Sequence, residues 1–229
     1  MNANLKKTLV LFALFVLPAL LFYLLVYAGV HKVNRLAFYG PKQIIETKKR
    51  GAVVMDTIYH SIPPFTAQTT QNIPFSDKSL EGKVYLAHFL DMSQLNDIPK
   101  EITYVATQIL PTYPSIQFIT YLYNFNPNTS LSSPSEKTEK LANDEKRWVY
   151  VSLDDSTAQF LQKEGYFKSD EKQAVQDPSS LALVDMEGHI RGYYNPILQS
   201  DISNLKKEIS LLYKEYELAF KTHKYIEFN

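Results

Sequence analysis

From Thr8 to Val30 the chain carries no charged residue, and after it short apolar runs alternate with polar turns to the end. The first run is longer than the about 20 residues a helix needs to cross a hydrocarbon core, so it predicts a transmembrane helix. Membrane helices tolerate an internal proline such as Pro18, and Tyr23 and Tyr27 suit the aromatic interface near its end. A cleaved signal peptide would show an apolar region of about 7 to 15 residues and a small-residue cleavage site, and neither is evident. Attachment by a lipid on cysteine is excluded, because the chain has no cysteine.

The periodicity divides the chain into an anchor over 1–30, a connector over 31–60 and a folded domain over 61–229. Within the connector, Pro41 to Arg50 is predicted to form a short helix. Phe65 to Gln68 and Ile73 to Ser76 suit a small hairpin. Val84 to Leu90 is an apolar run of the length of a strand covered on both faces. Asp97 to Leu110 is a predicted helix with Asp97 as its N-cap and Pro99 near its first turn. Ser115 to Tyr123, rich in β-branched and aromatic residues, is the next strand, followed by a turn-rich loop over Asn124 to Ser135.

Further on, Glu136 to Asn143 predicts a helix, Trp148 to Leu153 a strand and Ser156 to Glu164 another helix. Leu181 to Asp185 and His189 to Tyr194 predict an antiparallel hairpin in which Gly188 takes a positive φ. Ser200 is expected to cap a long helix whose apolar positions Ile202, Leu205, Ile209, Leu212, Tyr216 and Phe220 recur at helical spacing. Strands alternating with helices predict an α/β domain.

Composition narrows the function. The chain is 45% hydrophobic and 21% charged, with 24 basic and 24 acidic residues, so no basic excess points to nucleic acid. Roughly 200 residues beyond the first segment suffice for one domain with a proper core. With no cysteine, thiol–disulfide exchange is impossible. No Gly-rich phosphate loop occurs among the seven glycines.

The stretch from Gly82 to Lys100, GKVYLAHFLDMSQLNDIPK, runs from a buried strand into a polar loop ahead of a helix. Loops at that carboxyl edge are where α/β folds usually carry their sites. This stretch resembles the SCO1/SenC family of thioredoxin-like proteins, which take part in copper delivery to cytochrome oxidase. Further segments are similar to that family: Ile62-Pro-Pro-Phe65, Lys146-Arg-Trp148, Gly165-Tyr-Phe167, Leu183-Val-Asp185 and Gly188-His-Ile-Arg-Gly-Tyr-Tyr194. Leu36-Ala-Phe-Tyr-Gly40 is similar to the segment that follows the anchor in bacterial members. The resemblance implies a thioredoxin-like fold, a mixed central sheet flanked by helices.

It also implies where a copper site would lie. With Pro99 matched to the proline of the family's Cys-x-x-x-Cys-Pro motif, the two cysteine positions fall on Gln94 and Ile98. Counting back from Asp185 puts the family's ligand histidine on Asp177. Amide, alkyl and carboxylate groups are poor or incapable ligands for copper(I), which prefers thiolate, thioether and imidazole. The expectation is therefore a member without copper, cofactor or enzymatic activity.

The alternative is a rebuilt soft-metal site from Met92 and His88, set against the ordinary meaning of both as packed interior groups. His189 is read as a surface strand residue, and His31, His60 and His223 have no ligand-like spacing. Ser93 lacks the G-x-S-x-G surroundings of a hydrolase nucleophile. Asp154-Asp155, and Asp91 with Asp97, are read as solvated turn carboxylates, since no EF-hand spacing surrounds them.

Orientation draws on both kinds of evidence. Lys6 and Lys7 precede the apolar run while Lys32, Arg35, Lys42, Lys48, Lys49 and Arg50 follow it, a count that favours a cytoplasmic domain. The resemblance implies the opposite, a single-pass protein of the bacterial inner membrane with its main domain in the periplasm, and long domains translocate largely regardless of charge. The expected partner is a protein, an oxidase subunit or assembly factor.

Overall fold

The structure is a computed structural model, and it describes residues 3–28, 35–49, 52–93, 98–124, 147–167 and 180–227. The chain forms two compact units, Met1–Arg35 and Leu36–Asn229. In the first, α1 (Ala3–Ala28) is the helix expected of the uncharged run, with Pro18 inside it. Its side chains from Leu11 to Tyr23 are exposed, Phe12, Phe15 and Phe22 among them. Among the described residues no helix is long and apolar enough to cross a membrane.

The second unit begins with an antiparallel pair, β1 (Lys42–Lys49) and β2 (Ala52–Tyr59), where the sequence predicted a short helix. Lys, Gln and Glu favour a helix over 41–50 when that segment is taken alone. Across the turn, however, Val53, Val54, Thr57 and Ile58 of β2 pair with it in register, and β-branched residues prefer the pleated ladder.

Seven strands build the main sheet: β3 (Thr66–Thr69), β4 (Pro74–Ser76), β5 (Val84–Asp91), β6 (Ile116–Tyr123), β7 (Trp148–Ser152), β8 (Leu181–Val184) and β9 (Ile190–Tyr194). Their order is β4-β3-β7-β6-β5-β8-β9. The central trio β7-β6-β5 is parallel and the outer pairings are antiparallel, which makes the sheet mixed.

Both faces of β5 are buried, which is why its sequence is a continuous apolar run. Val84 and Leu86, with Ile116, Phe118 and Trp148, pack against α2 (Lys100–Ile109) and α4 (Gln199–Glu227) through Ile102, Val105, Ile109, Leu205, Ile209 and Leu212. Tyr85, Ala87 and Phe89 point the other way, with Ile119, Tyr121 and Val151, onto Ala158 of α3 (Asp155–Phe160) and onto Leu161 and Tyr166. Each Val, Leu, Ile or Phe side chain among them contributes about 1.5–3 kcal/mol on full burial. This is the thioredoxin-like arrangement of a mixed sheet between helices that the resemblance implied.

Strand bounds differ from the sequence reading by about one residue, and the starts of three helices moved. α2 starts at Lys100, with the Pro99 carbonyl accepting from the N–H groups of Ile102 and Thr103, while the expected cap Asp97 lies outside the described residues. α3 starts at Asp155 because Asp154 caps it, and the chain continues from it through a π turn over Leu161–Gly165. α4 begins at Gln199, so Ser200 sits inside its first turn and donates to the Asp201 carboxylate rather than capping the helix. The Glu136–Asn143 helix and nearly all of the Asn124–Ser135 loop lie outside the described residues.

Candidate functional site

The loop after β5 starts with a locked turn. The Asp91 carboxylate accepts from the Ser93 N–H at 2.9 Å and from the Asn124 side-chain amide at 2.9 Å. The Asn124 bond, followed by the Ser93 bond, holds this carboxyl below the usual range. Met92 donates its backbone N–H to the Tyr123 carbonyl, and its side chain packs with Leu90 and Leu122, against which Tyr150 also lies. Gln94 and Asp97 lie outside the described residues, as does Asp177.

Ile98 stands where the match puts a thiolate. It belongs to the core shared by β5, α2 and α4 and is 8% exposed. A branched alkyl chain has no donor, and its place in that core makes it a packing residue at the head of α2. His88 is 2% exposed, within β5 opposite Thr120, whose hydroxyl accepts from the Trp148 indole N–H at 3.0 Å. Met92 is 7% exposed. The thioether and the imidazole of the alternative site are thus both interior groups.

Other candidates resolve into structural roles. The Asp154 carboxylate accepts from the hydroxyls of Ser156 and Thr157 and from the Thr157 N–H, and these bonds hold it far below the usual carboxylate range. It is a helix cap. His60 places Nε2 2.9 Å from the Gly165 carbonyl and its ring edge against Phe167, and burial lowers its pKa.

His189 is not the exposed strand residue the sequence suggested. Its side chain is only 21% exposed and lies edge-on to the Phe38 ring at 5.3 Å, in the turn before β9. Its neighbours Asp185 and Glu187 bring ligand-type atoms within 4.8 Å of one another and of the imidazole. The Asp185 carboxylate there is already committed to the N–H groups of Glu187 and His189 and to Arg191.

Sequence reasoning did not find the cluster centred on Arg191. This guanidinium is 4% exposed and donates to Asp185 at 3.0 Å, to Glu215 of α4 at 2.7 Å and to the Leu36 carbonyl at 3.0 Å. The Phe38 ring lies 4.2 Å from it, stacked in turn on Tyr59. Glu215 also accepts the Leu36 N–H, and the Tyr39 N–H donates to the Ile190 carbonyl. Burial works against the charge of Arg191, but the bonds to Glu215 and Asp185 outweigh it and raise its pKa. The late hairpin and the segment Leu36–Gly40, two separate points of the resemblance, are therefore one structure. The available signal was the Asp–Arg pair flanking Gly188; nothing in the pattern pointed to Glu215.

On the opposite face of the sheet Tyr85, Tyr121 and Tyr166 share a buried hydroxyl trio. Tyr166 lies 3.2 Å from Tyr85 and 3.3 Å from Tyr121, oxygen to oxygen. Burial raises all three phenols well above their ordinary range. Beside them a cavity of about 290 Å³ opens between Ile62, Phe65, Leu80 and the turn at Gly188.

No family model matches the chain, and no curated protein matches it. Among solved structures it is similar to a SCO1/SenC family lipoprotein from Bacillus anthracis str. Ames, at 17% identity and a TM-score of 0.50 over 66% of this chain and 94% of that one. The soluble domain of Sco1 from Bacillus subtilis matches at 20% identity and a TM-score of 0.43, over 66% of this chain and 93% of that one. Bradyrhizobium japonicum ScoI with copper bound matches at 18% identity and 0.44, over 65% and 99%. At such identities the likeness is one of fold, and the Bacillus anthracis structure carries it: the chain has a thioredoxin-like α/β fold similar to that of a SCO1/SenC protein.

Proposed function

We propose that this chain is a membrane-anchored SCO1/SenC-like protein without a copper or redox site, acting by protein binding as an accessory factor in respiratory oxidase assembly. The observation that carries the reading is the thioredoxin-like body in a chain with no cysteine, where one matched thiolate position is the core residue Ile98. β5 and α2, which flank the loop, are in place, and none of the three matched ligand positions, Gln94, Ile98 and Asp177, carries a soft donor. Binding through a surface is the function such a scaffold retains.

The anchor belongs to this proposal. The uncharged sequence run Thr8–Val30 is what supports a single-pass attachment to the bacterial inner membrane, with the body over 61–229 on the periplasmic side. Pulldown of the full chain from detergent-solubilised membranes is the test. Co-recovery of an oxidase subunit or assembly factor is expected, and recovery of neither overturns the reading.

A further inference from the structure

Three separate segments of the body meet around the cavity of about 290 Å³ beside the start of β5. The Ile62 N–H donates to the Gly188 carbonyl at 2.9 Å, and the Gly82 N–H donates to the Met186 carbonyl at 3.1 Å. The Phe65 N–H donates to the Asp77 carboxylate at 3.3 Å. These bonds tie residues 61–65, 77–82 and 186–188 into a closed ring. Gly82 and Gly188, both at positive φ, turn the chain at two of its corners. The opening is thus held by main-chain bonds and formed in advance, as ligand sites usually are.

The lining is sorted by depth. Phe65, Leu80 and Tyr85 are buried and Met186 is half-buried, whereas Glu81 and Glu187 are exposed and Asp77 lies between. Three acidic residues therefore surround an apolar interior, and among the described residues no Lys, Arg or His joins them in the lining. Lys83 of the same segment donates instead to the Ser79 carbonyl at 2.8 Å. The negative charge reaches the interior: burial first, and then the charges of Asp185 and Asp77, push the Tyr85 phenol up.

A bare metal ion does not suit this arrangement. Among the described residues, the ligand-type atoms that gather within 4.8 Å of one another are those of Asp185, Glu187 and His189, and Asp77 and Glu81 stand apart from them. Spread negative charge over an apolar interior suits a cation on a methylene stem, which buries the stem and keeps the charged head near water. The volume, at the lower end of the about 300–1,000 Å³ of small-ligand sites, has room for one group of that size.

We propose that this cavity binds a cationic group on an aliphatic stem, an alkylguanidinium or alkylammonium. The stem lies against Phe65, Leu80 and Met186, and the charge lies among Asp77, Glu81 and Glu187. The site is at the start of β5, whereas the matched ligand positions Gln94 and Ile98 follow the end of that eight-residue strand, roughly 25 Å away. It therefore stands independently of the oxidase reading.

The four methionines supply the test, because Met186 lines the cavity and Met55 and Met92 lie elsewhere. The full chain in detergent is labelled with isotope in its methionine methyl groups, and the Met186 resonance is assigned with Met186→Leu. N-acetyl-arginine methylamide and n-butylguanidine are each titrated in. Either should move the Met186 resonance saturably and leave those of Met55 and Met92 in place. The citrulline analogue, of equal shape without the charge, should move none. The shift should disappear at about 1 M salt, where the screening length falls to about 3 Å.

The variant E81Q/E187Q removes two exposed charges, must keep the thermal transition of the parent, and should weaken binding about tenfold. Glu164→Gln, an exposed acid outside the lining, should change nothing. Tighter binding of the blocked arginine assigns the cation to a protein's side chain, and tighter binding of n-butylguanidine assigns it to a free amine or guanidine. Equal shifts with the citrulline analogue overturn the proposal, as do undiminished binding in E81Q/E187Q and the lack of a saturable shift in the millimolar range.

Discussion

Arg191 of the late hairpin and Glu215 of the final helix meet at 2.7 Å, with the Leu36 carbonyl held by the same guanidinium. One buried cation thereby joins β9, α4 and the segment that enters the body from the N-terminal side. Replacing it by methionine leaves the Asp185 and Glu215 carboxylates buried without their partner. The expected loss is about 3–5 kcal/mol, read as a lowered denaturation midpoint with the fluorescence of Trp148, the chain's one tryptophan. Arg191→Lys keeps the charge but not the fork of donors and should recover only part of it. Trypsin cleavage after Arg35 should accelerate in both variants, because the Leu36 carbonyl and the Ala37 carbonyl, which accepts from Arg191 Nε at 3.3 Å, lose their clasp.

The tyrosine trio predicts an order of costs that side-chain size does not. Tyr166→Phe removes the hydroxyl that serves both others and strands two buried phenols, at about 1–3 kcal/mol each. Tyr85→Phe or Tyr121→Phe removes one end and leaves a pair, so each should cost less. The triple Phe variant should be milder than the sum of the single changes, since it strands no polar group. Denaturant unfolding of the four variants measures the order, and equal costs for the three single changes would contradict a shared hydroxyl.

Asp154 links stability to acid. Its folded pKa lies below the unfolded value of about 3.9, so its contribution is present above that value and lost as pH falls through the folded one. Asp154→Ala should cost about 0.5–2 kcal/mol at neutral pH as a lost cap. Asp154→Asn should keep most of the cap and flatten the acid limb of the stability–pH curve.

His60 acts in a higher window. Burial lowers its folded pKa, so the unfolded chain binds the proton more readily and stability rises with pH through the window below the unfolded value of about 6.5. His60→Gln should flatten stability between about pH 5 and 7, and an unchanged slope in denaturation midpoints would contradict the buried neutral imidazole.

Much of the body was legible because burial on both faces writes a continuous apolar run, as at Val84–Leu90, and because Ile202, Leu205, Ile209 and Leu212 keep helical spacing in α4. The β1–β2 hairpin was not, since Lys, Gln and Glu over 41–50 suit a helix and only the partner strand decides otherwise. The Arg191 cluster depends on contacts between residues 24 and 155 positions apart, which no local pattern encodes. At the loop after β5, Ile98 could be matched to a ligand position from Pro99, but its burial in the core required the packing of α2.

Copper(I) titration of the full chain in detergent, in competition with a chromogenic chelator, bears most directly on the proposal that the chain has no copper site. No stoichiometric transfer from the chelator is predicted, and Met92→Leu should leave both the titration and the fold unchanged within about 1.5 kcal/mol. One equivalent of bound copper that disappears in Met92→Ala and in His88→Ala would contradict it and make the chain a carrier.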